Sequence, residues 1–139
     1  METWNGSAAI CVNEHLQLLM VKQGKPDERK CWTVPSGGRE AGETDEACCI
    51  REVFEETGYQ VKIVRPLHEK NGHSFGIPVC VKYFEAEIIG GTPTLHDPDG
   101  RIYEIAWKSA ADIESLTLSF PEDRLFLIDF LNNYGRHEK

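Results

Sequence analysis

Between Thr44 and Gly58 the chain reads as one amphipathic helix, yet it crowds Glu52, Glu55 and Glu56 into the C-terminal half. Thr44 is a good N-cap with acidic residues in the following turn, and Gly58 suits the left-handed position just past a helix end, so the spacing predicts a helix over Asp45 to Thr57. With Ile50 at zero on a wheel advancing about 100° per residue, Ala47, Val53, Phe54 and Thr57 fall within about 60° and form the expected core face. Glu52, Glu55 and Glu56 fall at roughly 200°, 140° and 240°, so all three carboxylates are expected to project together from the opposite side. Glu52 and Glu56 are a like-charge i,i+4 pair near the helix C-terminus, where the dipole disfavours anions, and no Lys or Arg follows one turn on to pair with the three. Only Arg51, whose i+4 neighbour is Glu55, offsets them locally. A solvated acidic face is the plain alternative for a charged helix. The concentration of charge favours a divalent cation, and hard oxygen ligands select Mg²⁺, Mn²⁺ or Ca²⁺ over Zn²⁺.

The rest of the chain bounds what that helix belongs to. At 139 residues there is length for one domain, residues 1–139, around one core. Fifteen Lys and Arg against twenty-three Asp and Glu give a formal charge of -8, which disfavours a nucleic-acid polymer or an anionic membrane surface as partner. The start carries no basic apolar leader, and no window approaches the ~18 apolar residues of a membrane span. Five cysteines, Cys11, Cys31, Cys48, Cys49 and Cys80, are an odd count without C-x-x-C spacing, so reduced, mostly buried thiols in a cytoplasm are expected. Whether the chain is a monomer or a homodimer is not encoded.

Ser7 to Val12 and Leu16 to Lys22 read as a β-hairpin about a short polar turn. Gly24 to Lys30 is a polar loop, and Cys31 to Pro35 a short extended piece leading into Ser36-Gly37-Gly38. Tyr59 to Val64, Val79 to Ile89 and Ile102 to Trp107 read as strands, with Gly72 to Pro78 as a loop between the first two. Pro121 opens a second long helix in which Leu125, Phe126, Ile128, Phe130 and Leu131 form one buried stripe before Gly135. Two helices covering a mixed sheet, an α+β arrangement, is the expected architecture.

The residues around the first helix are similar to a known motif. Gly37, five residues, Glu43, seven residues, then Arg51-Glu52-Val53-Phe54-Glu55-Glu56-Thr57-Gly58-Tyr59 fill every fixed position of the Nudix box, G-x5-E-x7-R-E-U-x-E-E-x-G-U, where U is bulky and apolar. Trp32 to Gly37 resembles the usual W-x-U-P-G-G lead-in with Ser36 for the first glycine, and Glu104 to Trp107 followed by an acidic short helix, Ala110 to Leu116, is similar to the closing half of MutT-like members. The resemblance implies a Nudix fold, an α/β/α sandwich about a mixed sheet. It implies hydrolysis of a nucleoside diphosphate linked to another group, with Mg²⁺, or Mn²⁺, as cofactor and a small nucleotide as partner.

By position in the box, Glu52, Glu55, Glu56 and the Gly37 carbonyl would hold metal, Arg51 would hold a carboxylate in place, and Glu43 would tie the loop to the helix start. Bridging cations withdraw charge from a pyrophosphate and align a water, and a carboxylate takes its proton. Glu52 is the first choice for that base. Among acids on a separate loop, Asp97, Asp99 and Glu104, Asp99 ranks first, although Asp-Pro-Asp-Gly also reads as an ordinary turn. Trp32, Phe75, Tyr83, Phe84 and Trp107 could stack on a base, His68 and His73 flank the predicted loop, and Lys22, Arg29 and Lys30 could meet phosphate. Core packing and solvation are the competing readings for each. Nucleoside triphosphates lead the expected substrates. A catalytically silent nucleotide-binding domain is the alternative, and its usual mark, lost box glutamates, is absent. A plain cation-binding module would leave Gly37 without a purpose, and the calcium-loop spacing is missing.

Overall fold

The computed structural model describes residues 2–95 and 97–135. Strands β1 (Trp4–Ile10), β2 (Leu18–Gln23), β3 (Cys31–Thr33) and β4 (Ser36–Gly38) precede helix α1 (Asp45–Thr57). Then come β5 (Tyr59–Ser74), β6 (Ile77–Gly91), β7 (Ile102–Lys108), a short helix α2 (Ala110–Ser115), one 3₁₀ turn at Pro121–Asp123 and α3 (Arg124–Asn132). A mixed sheet runs β4-β1-β6-β5, with β1 parallel to β6 and the other pairs antiparallel, and an antiparallel sheet runs β3-β2-β7.

The central strands are covered on both faces, so they read as continuous apolar runs, and alternation sorts their side chains into two cores. Ala8 and Ile10 of β1, Leu18 and Met20 of β2 and Tyr83 of β6 join Trp32, Val34, Ile113, Leu118, Leu127 and Leu131 on the α2/α3 side. Their neighbours Ala9, Cys11, Leu19 and Phe84 join Cys49, Val53, Val61 and Ala86 on the α1 side. Helices on either side of the sheet strands make the expected α+β arrangement with α/β/α layering. Among the described residues no helix is long and apolar enough to cross a membrane, and all five cysteines are free, with Cys11, Cys48 and Cys49 buried.

Four expectations change. β1 and β2 do not pair as a hairpin: after a bridge at Val12 and Leu18, with the Leu19 N–H donating to the Cys11 carbonyl, they diverge into different sheets, because β1 takes β6 and β4 as partners. Gly72 to Pro78 is not a loop, since β5 and β6 run on to a two-residue turn at Phe75-Gly76. The final helix begins only at Arg124 and buries Leu127 and Leu131, leaving Leu125 74% exposed.

Helix α1 has the expected limits, with the Thr44 side chain accepting from the Ala47 N–H and the Gly58 N–H donating to the Phe54 carbonyl. Its roll differs by about a quarter turn. Cys48, Cys49, Val53, Glu56 and Thr57 face inward, while Ile50 and Phe54 are 38% and 53% exposed. The wheel placed the apolar side inward, whereas the structure turns a glutamate side toward β4.

Gly58 sits at φ +82°, and a Cβ there would overlap the Thr92 carbonyl. Gly58→Ala is expected to cost at least the ~1–2 kcal/mol of left-handed strain and to lower the thermal midpoint by roughly 3–8 °C, read by circular-dichroism melting.

Candidate active site

The turn from β4 into α1 is held by one guanidinium. Arg51 donates through Nε to Glu43 Oε2 at 2.6 Å and through Nη2 to Glu43 Oε1 at 2.9 Å, a bidentate pair. Nη2 also donates to the Gly38 carbonyl at 2.9 Å, and Nη1 to Glu52 Oε2 at 2.9 Å and Glu55 Oε1 at 3.1 Å. Glu43 in turn accepts from the Glu40 N–H, so the loop closes on itself as well as on the helix. The Arg51 hydrogen bond, then that of Glu40, holds the Glu43 carboxyl down at about 2.

Gly37 lies so close to this helix that a Cβ would overlap the Glu52 carboxylate, which explains why glycine stands there. Glu56 accepts from the Ser36 N–H at 3.1 Å. It is only 8% exposed, and burial, then the charges of Glu52 and Asp97, push its carboxyl well above the usual range. Burial likewise raises Glu52 to about 6, against the pull of Arg51. Glu56 is thus held out of water with half-buried Glu52 beside it, both against the Ser36-Gly37 backbone. Among the described residues no three His, Cys, Asp or Glu side chains already converge as a metal cage, since Arg51 draws Glu52 and Glu55 to itself.

Beside Ser36 and Gly37 opens a cleft of about 740 Å³, walled by β1, the end of β3 and the outer half of the β5–β6 ribbon. Tyr83 Oη donates to Asp123 Oδ2 at 2.6 Å, and Lys70 Nζ donates to Asp123 Oδ1 at 2.9 Å and Glu122 Oε2 at 3.1 Å. The same ammonium lies 4.5 Å from the Phe120 ring centroid and 5.5 Å from that of Tyr83. Lys70, Tyr83, Phe120 and Glu122 all line the cleft.

Of the residues singled out in the sequence, His73, Phe75 and Tyr83 line this cleft together with Gly37. Trp32 is buried in the α2/α3-side core with Lys108 Nζ 4.4 Å from its ring. His68 stacks on Tyr83 with centroids 4.5 Å apart. Asp99 occupies an exposed turn, whereas Asp97 of the same turn contributes to the raised Glu56 carboxyl. Glu104 pairs in register with Lys22 on the antiparallel sheet, and Lys30 Nζ is turned onto the carbonyls of Lys25, Pro26 and Glu28. Sequence reasoning missed Lys70, Phe120, Glu122 and Trp4 as cleft residues, and Asp123 as the group that holds Lys70 and Tyr83. The one signal was Phe120-Pro121-Glu122-Asp123, polar groups placed at the entry to an apolar helix.

Residues 4–130 match the NUDIX domain family. The 8-oxo-dGDP phosphatase NUDT18 of Mus musculus is 32% identical over 102 residues, covering 71% of this chain and 30% of the mouse protein. An ADP-ribose pyrophosphatase of Bacillus subtilis is 43% identical over 56 residues, 40% of this chain and 30% of that protein. A NUDIX hydrolase from Nitrosomonas europaea, solved as a structure, shares the fold with a TM-score of 0.81 at 21% identity, over 92% of this chain and 87% of that one. The chain spans about a third of the length of the first curated relatives it matches.

The acids give the metal-free protein a pH dependence with two limbs. Between the ordinary glutamate value of 4.5 and about 6 the folded chain binds more protons than the unfolded one at Glu52, so stability falls as pH rises through that window. Between 4.5 and about 2 the unfolded chain binds more protons at Glu43, so the Arg51 contact is lost as pH falls. Thermal midpoints measured in chelator are expected to peak between about pH 4 and 5, with Glu52→Gln making the upper limb shallower, the raised Glu56 carboxyl carrying the rest of it, and Glu43→Gln flattening the lower.

Proposed function

Because the chain belongs to the Nudix family, we propose that it is a divalent-metal-dependent pyrophosphohydrolase acting on a nucleoside diphosphate linked to another group, with nucleoside triphosphates as the favoured class. The observation that carries this reading is the pair of acids, buried Glu56 and half-buried Glu52, set against Ser36 and Gly37, which themselves line a cleft large enough for a small ligand.

The donor set fits a hard cation. Carboxylate oxygens of Glu52, Glu55 and Glu56 and the Gly37 carbonyl would supply oxygen ligands only, and Glu56 is buried among acids, with no basic side chain bonded to it among the described residues. Mg²⁺ held there, with Mn²⁺ as a substitute, would supply charge withdrawal from the phosphate oxygens and a bound, more acidic water. Glu52 is the first choice to take the proton of the attacking water, since burial makes its carboxylate more basic than usual. Asp97, whose charge acts on Glu56, is the acid outside α1 that we take as the alternative. Arg51 and Glu43 are positioning residues: they fix the loop that presents the Gly37 carbonyl and hold Glu52 in its rotamer. The cleft beside them accepts the rest of the nucleotide.

The relatives support the chemistry and spread the substrates, one named for 8-oxo-dGDP and another for ADP-ribose. Turnover of nucleoside triphosphates and their 8-oxo forms, ADP-ribose, dinucleoside polyphosphates and coenzyme A, each with Mg²⁺, Mn²⁺ or chelator, tests the reading. Activity on none of them would overturn it. Water labelled with heavy oxygen identifies the phosphorus attacked.

Glu52→Gln and Glu56→Gln are each expected to lower kcat by more than about 100-fold. Both should keep the fold, because the amide oxygen of glutamine still accepts the Ser36 N–H at position 56. Mg²⁺ is expected to raise the wild-type thermal midpoint, more at pH 8 than at pH 5 because its ligands must be deprotonated, and to leave Glu56→Gln nearly unmoved.

A further inference from the structure

The β5–β6 ribbon turns at Phe75-Gly76, with Ser74 paired to Ile77. Both turn residues have positive φ, +51° and +78°, the primed geometry that matches hairpin twist and is ordinarily filled by Asn-Gly or Asp-Gly. Phenylalanine there holds its Cβ against the left-handed backbone, and the residue is fully exposed. Neither the strain nor the bare ring helps the fold. Every residue from 71 to 77 is exposed, so the ribbon stands clear of the body, and a two-stranded ribbon without packing support is weakly held.

The ring nevertheless lines the cleft whose other end is Ser36 and Gly37. Ser7 pairs with both Gly37 and Lys82, and Gly76 lies six residues along the ribbon from Lys82, about 20 Å at the usual strand rise. A nucleotide lying along the cleft with its phosphates at Gly37 directs its base toward the ribbon. Trp4 and Phe120, both half-exposed rings, line the same cleft.

We propose that Phe75 is a specificity-determining residue whose ring stacks on the base of the bound nucleotide and covers the outer end of the cleft. The inference rests on reading this cleft as the nucleotide site. Stacking uses the π-face that every base carries, so Phe75 selects for the presence of a base and not for its identity. A backbone outlier kept at a cost to stability is the pattern expected where function overrides folding preference.

The test compares wild type with Phe75→Asn, which suits the turn, and Phe75→Trp, which keeps a stacking ring. KM and kcat are measured for dGTP, 8-oxo-dGTP and ADP-ribose, with the inhibition constant of inorganic pyrophosphate as a base-free control. Phe75→Asn is expected to raise the thermal midpoint while raising KM about tenfold. Its kcat and pyrophosphate constant should change less than about threefold, and Phe75→Trp should restore KM. An unchanged KM for every nucleotide that the wild type cleaves would overturn the proposal and leave the ring to a protein partner. A lowered midpoint with nucleotide and pyrophosphate affinities weakened together would overturn it too, by making the ring structural. A wild type that neither cleaves nor binds these nucleotides brings down the underlying reading of the cleft, and this inference with it.

Discussion

Arg51 spends all its polar hydrogens on Glu43, Gly38, Glu52 and Glu55, and that shared guanidinium fixes the segment between β4 and α1. Residues 39–42 of the segment are exposed, so hydrophobic burial does little to place them. A planar fork that meets a carboxylate in two parallel hydrogen bonds sets both distance and orientation, which a lysine ammonium does not. With the loop fixed, the Gly37 backbone is pressed against Glu52, and Ser36 is left to satisfy Glu56.

The same arrangement is electrostatically costly. One arginine reaches Glu52 and Glu55 but not Glu56, which lies buried with other acids as neighbours. Removing carboxylates from water without a partner is unfavourable, so this end of α1 is held in place by the rest of the fold. Apolar packing on both faces of β1 and β2, and the Asp123 contacts with the cleft residues Tyr83 and Lys70, supply the rigidity. In the proposed function that charge imbalance is what receives a cation.

Local chemistry made some features legible and topology hid others. Thr44 and Gly58 marked the ends of α1 because capping and left-handed termination depend only on near neighbours in sequence. The roll of α1 was misjudged because apolarity placed Ile50 and Phe54 inside, whereas contact with β4 turned Glu56 inward instead. The β1–β2 hairpin failed for a related reason: β1 finds its partner in β6, some seventy residues on, and no turn signal reports that pairing. The turn expected somewhere within Gly72 to Pro78 narrows to Phe75-Gly76, and its tightness was hidden because the Asn or Asp that ordinarily precedes such a glycine is absent. Lys70 and Asp123 are 53 positions apart and meet only in the folded chain.

The sequence by itself determined the spacing of Gly37, Glu43, Arg51, Glu52, Glu55 and Glu56, hence which residues one helix and its leading turn bring together, because helical geometry converts spacing into direction. Tertiary structure alone decided which side of that helix is buried, how strongly its acids are desolvated, and which distant residues enclose the cleft beside them. Burial and non-local pairing depend on what the rest of the chain packs against, and that is not written in any local run of residues.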